Sequence, residues 1–191
     1  MAKGEDITTK FKVDISDLKK GISEANKQIK LANAEFKAAS AGMDDWSKSS
    51  AGISAKLKQL ASVLTSQNSK LKNYKDQLKA IEETEQKNGK RADELKTKLQ
   101  QLASQGVSKT SAEYKKYEKA LTEVEKEQLA NKKAADDLKI TILNQEGAVN
   151  STKKEMASYE STLKDVEKAE KAAAKNGTTV EQELKKIEEQ A

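Results

Sequence analysis

The chain has 191 residues, 35% hydrophobic, 35% charged and 4% aromatic, with a net charge of +5 and no Pro, Cys or His. Without cysteine there are no disulfides or thiolate chemistry, and without histidine the commonest general base and metal ligand is missing. No catalytic residue, cofactor or metal site is expected. High charge with few aromatics matches the long-helix class, and the lack of proline fits, since proline costs about 3 kcal/mol inside a helix.

The first residues, Met-Ala-Lys-Gly-Glu-Asp, lack the apolar core of a secretion signal. No apolar run approaches the roughly 20 residues of a membrane helix. As written, the chain reads as soluble. Ile7, Thr9, Phe11, Val13 and Ile15 then alternate with polar residues, a period-two pattern that predicts one short strand. A single strand needs a partner, and the sequence leaves that partner open. Ser16 is the expected N-cap of a first helix from about Asp17 to Ser40. Gly42 is the expected C-cap and Asp44 the next N-cap, at a bend near 40–45.

A heptad register runs from Leu18 to Leu102 across that bend. One column is Ile22, Ile29, Phe36, Met43, Ser50, Leu57, Leu64, Leu71, Leu78, Glu85, Ala92 and Leu99. The other is Leu18, Ala25, Ala32, Ala39, Trp46, Ile53, Leu60, Gln67, Tyr74, Ile81, Asn88, Leu95 and Leu102. An apolar repeat averaging 3.5 residues makes a narrow stripe, buried only when helices wrap each other. Glu85 and Asn88 interrupt it beside Gly89, which predicts a weak point near 88–90. Polar seam positions lower stability but can set register.

The better break lies at Ser104–Thr110, where Gly106 ends the seam and Thr110 with Glu113 forms a capping-box pattern. A second, more polar coil follows in a shifted frame. Its columns are Tyr114, Leu121, Gln128, Ala135, Ile142, Val149, Met156, Leu163 and Tyr117, Val124, Asn131, Leu138, Gln145, Thr152, Tyr159, Val166. Gly147 falls mid-helix, at about 1 kcal/mol relative to alanine. Asn176-Gly177 closes this helix, and Thr179 with Gln182 opens another.

Charge is uneven. Residues 1–75 carry 14 Lys against 8 acids, and Lys48, Lys56, Lys58, Lys70, Lys72 and Lys75 lie between Asp45 and Asp76 with no acid among them. These six are candidate contacts for an acidic partner. Nucleic acid is the sharper alternative, but the sequence has one arginine, Arg91, and phosphate and base recognition leans on arginine.

The opening EDITTKFKVDISDLKKGISEANKQIKLANAEFKAASAGMDDW (5–46) resembles the N-terminal region of tail tape measure proteins from long-tailed phages and prophages of Gram-positive bacteria. So do AKLKQL (55–60), NGKRADEL (88–95), GVSKTSAEYKKYEKAL (106–121) and LKITILNQ (138–145). The resemblance implies a helical ruler in the tail tube lumen, in several copies, setting tail length during assembly. Its partners would be its own copies and the tail tube, tail chaperone and tail-tip or baseplate proteins. Its place would be the virion tail, and the host cytoplasm during assembly. The lytic and membrane segments of longer members have no counterpart in these residues, so no membrane contact is expected through this region. About 170 helical residues end to end would span about 250 Å.

The expected fold is all-α: long coiled-coil helices, in line or as a hairpin, with one N-terminal β-strand. Its segments are an arm at 1–16, a first coil at 17–103, a break at 104–113, a second coil at 114–175, and the start of a further helix at 176–191. The alternative function is a basic coiled-coil module that binds nucleic acid or an acidic protein.

Overall fold

The computed structural model describes residues 11–190. It is all-α: α1 (Ser16–Ser40), a 3₁₀ turn (Trp46–Lys48), α2 (Ser50–Ser104), α3 (Ala112–Asn176) and α4 (Val180–Glu188). No strand occurs among the described residues. Phe11, Val13 and Ile15 lie in a stretch that is neither helix nor strand, which corrects the strand expected there, while Ile7 and Thr9 fall outside the described residues. Alternation alone does not make a strand, because a strand needs a neighbour to share its ladder.

Three of the expected N-caps are displaced, and the expected Gly42 C-cap does not form. Ser16 is the first residue of α1, and the Asp14 carboxylate accepts from its N–H at 3.0 Å and its hydroxyl at 2.7 Å. Gly42 does not take a left-handed conformation. Instead Asp45 caps the 3₁₀ turn through Ser47, and Ser49 Oγ accepts from the Gly52 N–H at 3.1 Å to cap α2. At the next break Thr110 bonds back to Ser108, and Ser111 Oγ accepts from the Tyr114 N–H at 3.1 Å. At each of the three N-termini a neighbouring residue of the same capping class takes free N–H groups of the first turn.

Helix ends follow the glycines more closely. Gly106 has φ 75°, Val107 N–H donates to Leu102 O at 3.0 Å, and Gly106 N–H donates to Ala103 O at 3.1 Å. That pair of bonds is a Schellman end, with Val107 packed back on the cluster that contains Leu102. Gly177, at φ 67°, ends α3, and α4 opens with the Thr179–Gln182 capping box. At 88–90 α2 is continuous through Asn88 and Gly89.

The chain divides into two units, Met1–Lys19 with Asn73–Ile142, and Lys20–Lys72 with Leu143–Ala191. In the first, Lys96 of α2 pairs with Glu125 of α3 at 3.2 Å, so the two helices run antiparallel about the Gly106 turn. Ala92, Leu95, Leu102, Tyr117, Ala120 and Val124 form its buried cluster. Each fully buried Leu or Val there contributes about 1.5–3 kcal/mol relative to exposure.

In the second unit three helices lie side by side. Gln59 of α2 donates to Asn33 of α1 at 2.6 Å, and Gln145 of α3 donates to the Gln67 carbonyl at 3.1 Å. Segment 40–45 is therefore a reversal between antiparallel helices, and the single coil expected over 17–103 is two helices. Ala25 and Ala32, both buried, are the small residues that allow α1 its approach. Gly52 permits the reversal itself, because a Cβ there would run into the Trp46 carbonyl oxygen and lie 2.7 Å from Trp46 Cα.

Two glycine substitutions should have opposite signs. Gly52→Ala forces the Trp46 backbone to move and should lower stability by about 1–3 kcal/mol. Gly147→Ala adds a Cβ that meets nothing within 4 Å and should raise stability by about 0.5–1 kcal/mol. Urea unfolding of both variants checks the pair, and shifts of the same sign would contradict this packing.

Candidate functional site

Every position of the second seam, Tyr114 to Val166, is buried or half-buried, and in the first seam, Leu18 to Leu102, Ala39 is the one exposed member. The seam is thus the face the helices turn toward each other. Among its apolar members burial is deepest at Ile53, Leu95, Val124 and Val166. The two columns leave out Val63, Ser66, Gln77, Thr84, Ala120, Ala169 and Ala173, which are also buried. Part of the reason is that α2 meets α1 as well as α3. Ser62, Thr65 and Ser66 line a groove with Gln28, Leu31, Ala32 and Glu35 of α1, and a helix with two neighbours needs a stripe wider than two positions in seven.

In the first unit the seam holds a polar seat. Asn88 is fully buried, its Oδ1 accepts from the Phe11 N–H at 3.1 Å, and its Nδ2 donates to the Phe11 carbonyl at 3.1 Å. One amide group therefore satisfies both backbone groups of a residue that no helix serves. Lys87 Nζ stands 6.0 Å from the centre of the Phe11 ring. Asn88 reads in the sequence as a polar interruption, and the heptad pattern carries no signal for a partner 77 residues away. Further along, Glu85 and Asn131 line an open groove of about 260 Å³ and leave Glu85 Oε2 and Asn131 Nδ2 buried without a hydrogen bond.

In the second unit an aromatic knot gathers the 3₁₀ turn and three helices. The Trp46 ring meets Phe36 edge-on at 5.1 Å and Tyr159 at 5.8 Å. Lys56 Nζ lies 5.4 Å from the Phe36 ring centre and 5.8 Å from that of Tyr159, and its ion pair with Glu155 is 3.1 Å long. Lys56 is only 16% exposed beyond its backbone, so the cation is held by π faces and a carboxylate together. Glu170 of α3 accepts from the Ser50 N–H at 2.9 Å, adding a carboxylate at the positive end of α2.

That arrangement divides the six lysines. Lys56 is inside the knot, and Lys48 lies 3.6 Å from Asp45 and 3.7 Å from Glu181. At about 100° per residue, Lys58 and Lys72 fall on the side of α2 opposite Lys56 and Lys70. Within this unit they do not form one basic stripe. Lys75 belongs to the first unit.

Two carboxylates have lowered pKa values. Asp45 is held down first by the Ser47 hydroxyl, and Glu183 first by Lys186 and then by the Thr178 hydroxyl. Among the described residues no group of three or more His, Cys, Asp or Glu is placed to hold a metal ion, and no helix is long and apolar enough to cross a membrane. Comparison of the sequence and fold with protein-family models, curated proteins and solved structures finds no match.

Asn88→Ala should destabilise the protein by about 1–3 kcal/mol, because it empties a buried seat and strips two backbone partners. Lys56→Met should cost about 1 kcal/mol through the lost cation–π and ion-pair contacts. Denaturant unfolding measures both, and a neutral Asn88→Ala would mean the Phe11 contact does not hold the arm. Both lowered carboxyl pKa values make stability full above the unfolded-state value of about 4 and lost as pH falls through the folded value. Melting temperature should therefore drop in acid, with a shallower drop for Asp45→Asn with Glu183→Gln.

Proposed function

We propose that this protein is a non-catalytic structural protein whose paired helices act as a coiled-coil spacer, in the manner of the N-terminal region of a phage tail tape measure protein. The observation that carries the reading is the continuity of α2 and α3, 55 and 65 residues without a break, with their heptad seams turned inward. Strings placed between residues 5 and 145 resemble that family and support the same reading. On it, the partners are further copies of the protein and the tail tube, chaperone and tip proteins. The site of action is the tail lumen, after assembly in the host cytoplasm.

A ruler needs length in proportion to residue number, and α-helix supplies it at about 1.5 Å per residue. The antiparallel pairing of α2 with α3 stores that length in folded-back form. Exchanging the pairing for contacts with other copies uses the same seam on both sides of the equilibrium. Asn131 and Thr152 in the α3 seam make that exchange cheaper, since polar seam positions weaken a coil.

Removing two heptads from α2 and two from α3, in register, should shorten tails by roughly 40 Å if helix length is read at about 1.5 Å per residue. Electron microscopy of particles carrying the shortened gene provides the measurement. Tails of unchanged length would refute the ruler, and failure of tails to form would reassign the segment to initiation of assembly.

A further inference from the structure

Two Asn-Gly steps occur, at 88–89 and 176–177, and the fold treats them oppositely. Asn88 is fully buried in the interior of α2, and both ends of its amide are bonded to the Phe11 backbone. Asn176 is the last residue of α3 and is exposed, and Gly177 after it is exposed and left-handed at φ 67°. Glycine has no Cβ to shield the peptide nitrogen that follows an asparagine. What then decides reactivity is whether the backbone is free to bring that nitrogen onto the asparagine Cγ.

We propose that Asn176–Gly177 is a self-modification site, at which the peptide nitrogen of Gly177 attacks Cγ of Asn176. The new N–Cγ bond closes a five-membered succinimide, the Cγ–Nδ2 bond breaks, and Nδ2 leaves as ammonia after taking up the proton released from the peptide N–H. Water then opens either carbonyl of the ring, giving aspartate or isoaspartate at 176. The balance is one amide plus one water to one acid plus one ammonia, with no other reactant.

The product changes the α3–α4 junction. Glu183 accepts from Thr178 Oγ1 at 2.7 Å and from Lys186 at 2.9 Å, and after these two the Asn176 side chain also helps to hold its pKa down. After conversion the neutral amide is replaced by a second negative charge, at the helix end where the dipole already disfavours anions. Isoaspartate also lengthens the backbone by one carbon shortly before the Thr178 N–H, which holds the Ala173 carbonyl at 3.2 Å. The site thus converts a capped helix end into a repelled one, loosening the seat of α4.

Peptide mass mapping of the intact folded protein, held in mildly alkaline buffer at physiological temperature, tests this. Conversion at Asn176 should run at least about tenfold faster than at Asn88, which can react only from opened states. In urea the two rates should converge. Equal rates in the folded protein, no conversion at Asn176, or an Asn88 that stays inert in urea would each overturn the proposal. Hydrogen exchange of Asn176→Asp reads the consequence, with faster exchange in α4 expected and unchanged exchange contradicting the loosened junction.

Discussion

An apolar stripe two positions wide in every seven cannot be buried by the helix that bears it, and a loop laid over it would leave its own backbone groups unpaired. Another helix is the economical cover, and within each unit α2 and α3 cover each other. Ile53, Leu95, Val124 and Val166, each under 2% exposed, mark where that cover is complete. The same requirement explains why the turns matter so much. A reversal that ended one residue early would rotate the seam about 100° away from its partner, and the Schellman bonds at Gly106 and the Ser111 cap set where α2 ends and α3 begins.

Polar residues punctuate this cover, and they fall into two kinds. Asn88, Gln145 and Lys56 each find partners from distant parts of the sequence, so they tie segments together as well as spacing the core. Gln77, Glu85 and Asn131 keep buried atoms without a hydrogen bond, and such atoms weaken the pairing around them. A helix pair built this way is specified at a few points and soft between them.

The seams, the long helices, the Gly106 and Gly177 ends and the Thr179 capping box are legible in the residues, because each depends on spacing within one or two turns. The caps at Asp14, Asp45 and Ser111 lie one or two residues from the expected ones, since Ser, Thr and Asp compete for the same free N–H groups and nearest-neighbour patterns rank them poorly. Alternation over Ile7–Ile15 predicts a strand because it records side-chain period alone and not the neighbour a ladder requires. Lys56 illustrates a different difficulty. As one of six lysines in an acid-free stretch it reads as a surface charge, and only the arrival of Phe36 and Tyr159 from other helices makes it a half-buried cation.

From sequence alone come the helical class, the two seam frames and the positions where helices must stop, all consequences of local periodicity and of glycine's access to positive φ. Tertiary structure decided that the break at 41–49 reverses the direction of the backbone, that α1 covers a second face of α2, and that Asn88 and Gly52 are held by Phe11 and Trp46. These depend on which stripe meets which. A heptad seam says that a helix needs a partner and gives almost no information about which partner it takes, because Leu, Ile and Ala pack against one another in either direction. Direction was settled by the turns and by a few polar residues that can be satisfied in one arrangement.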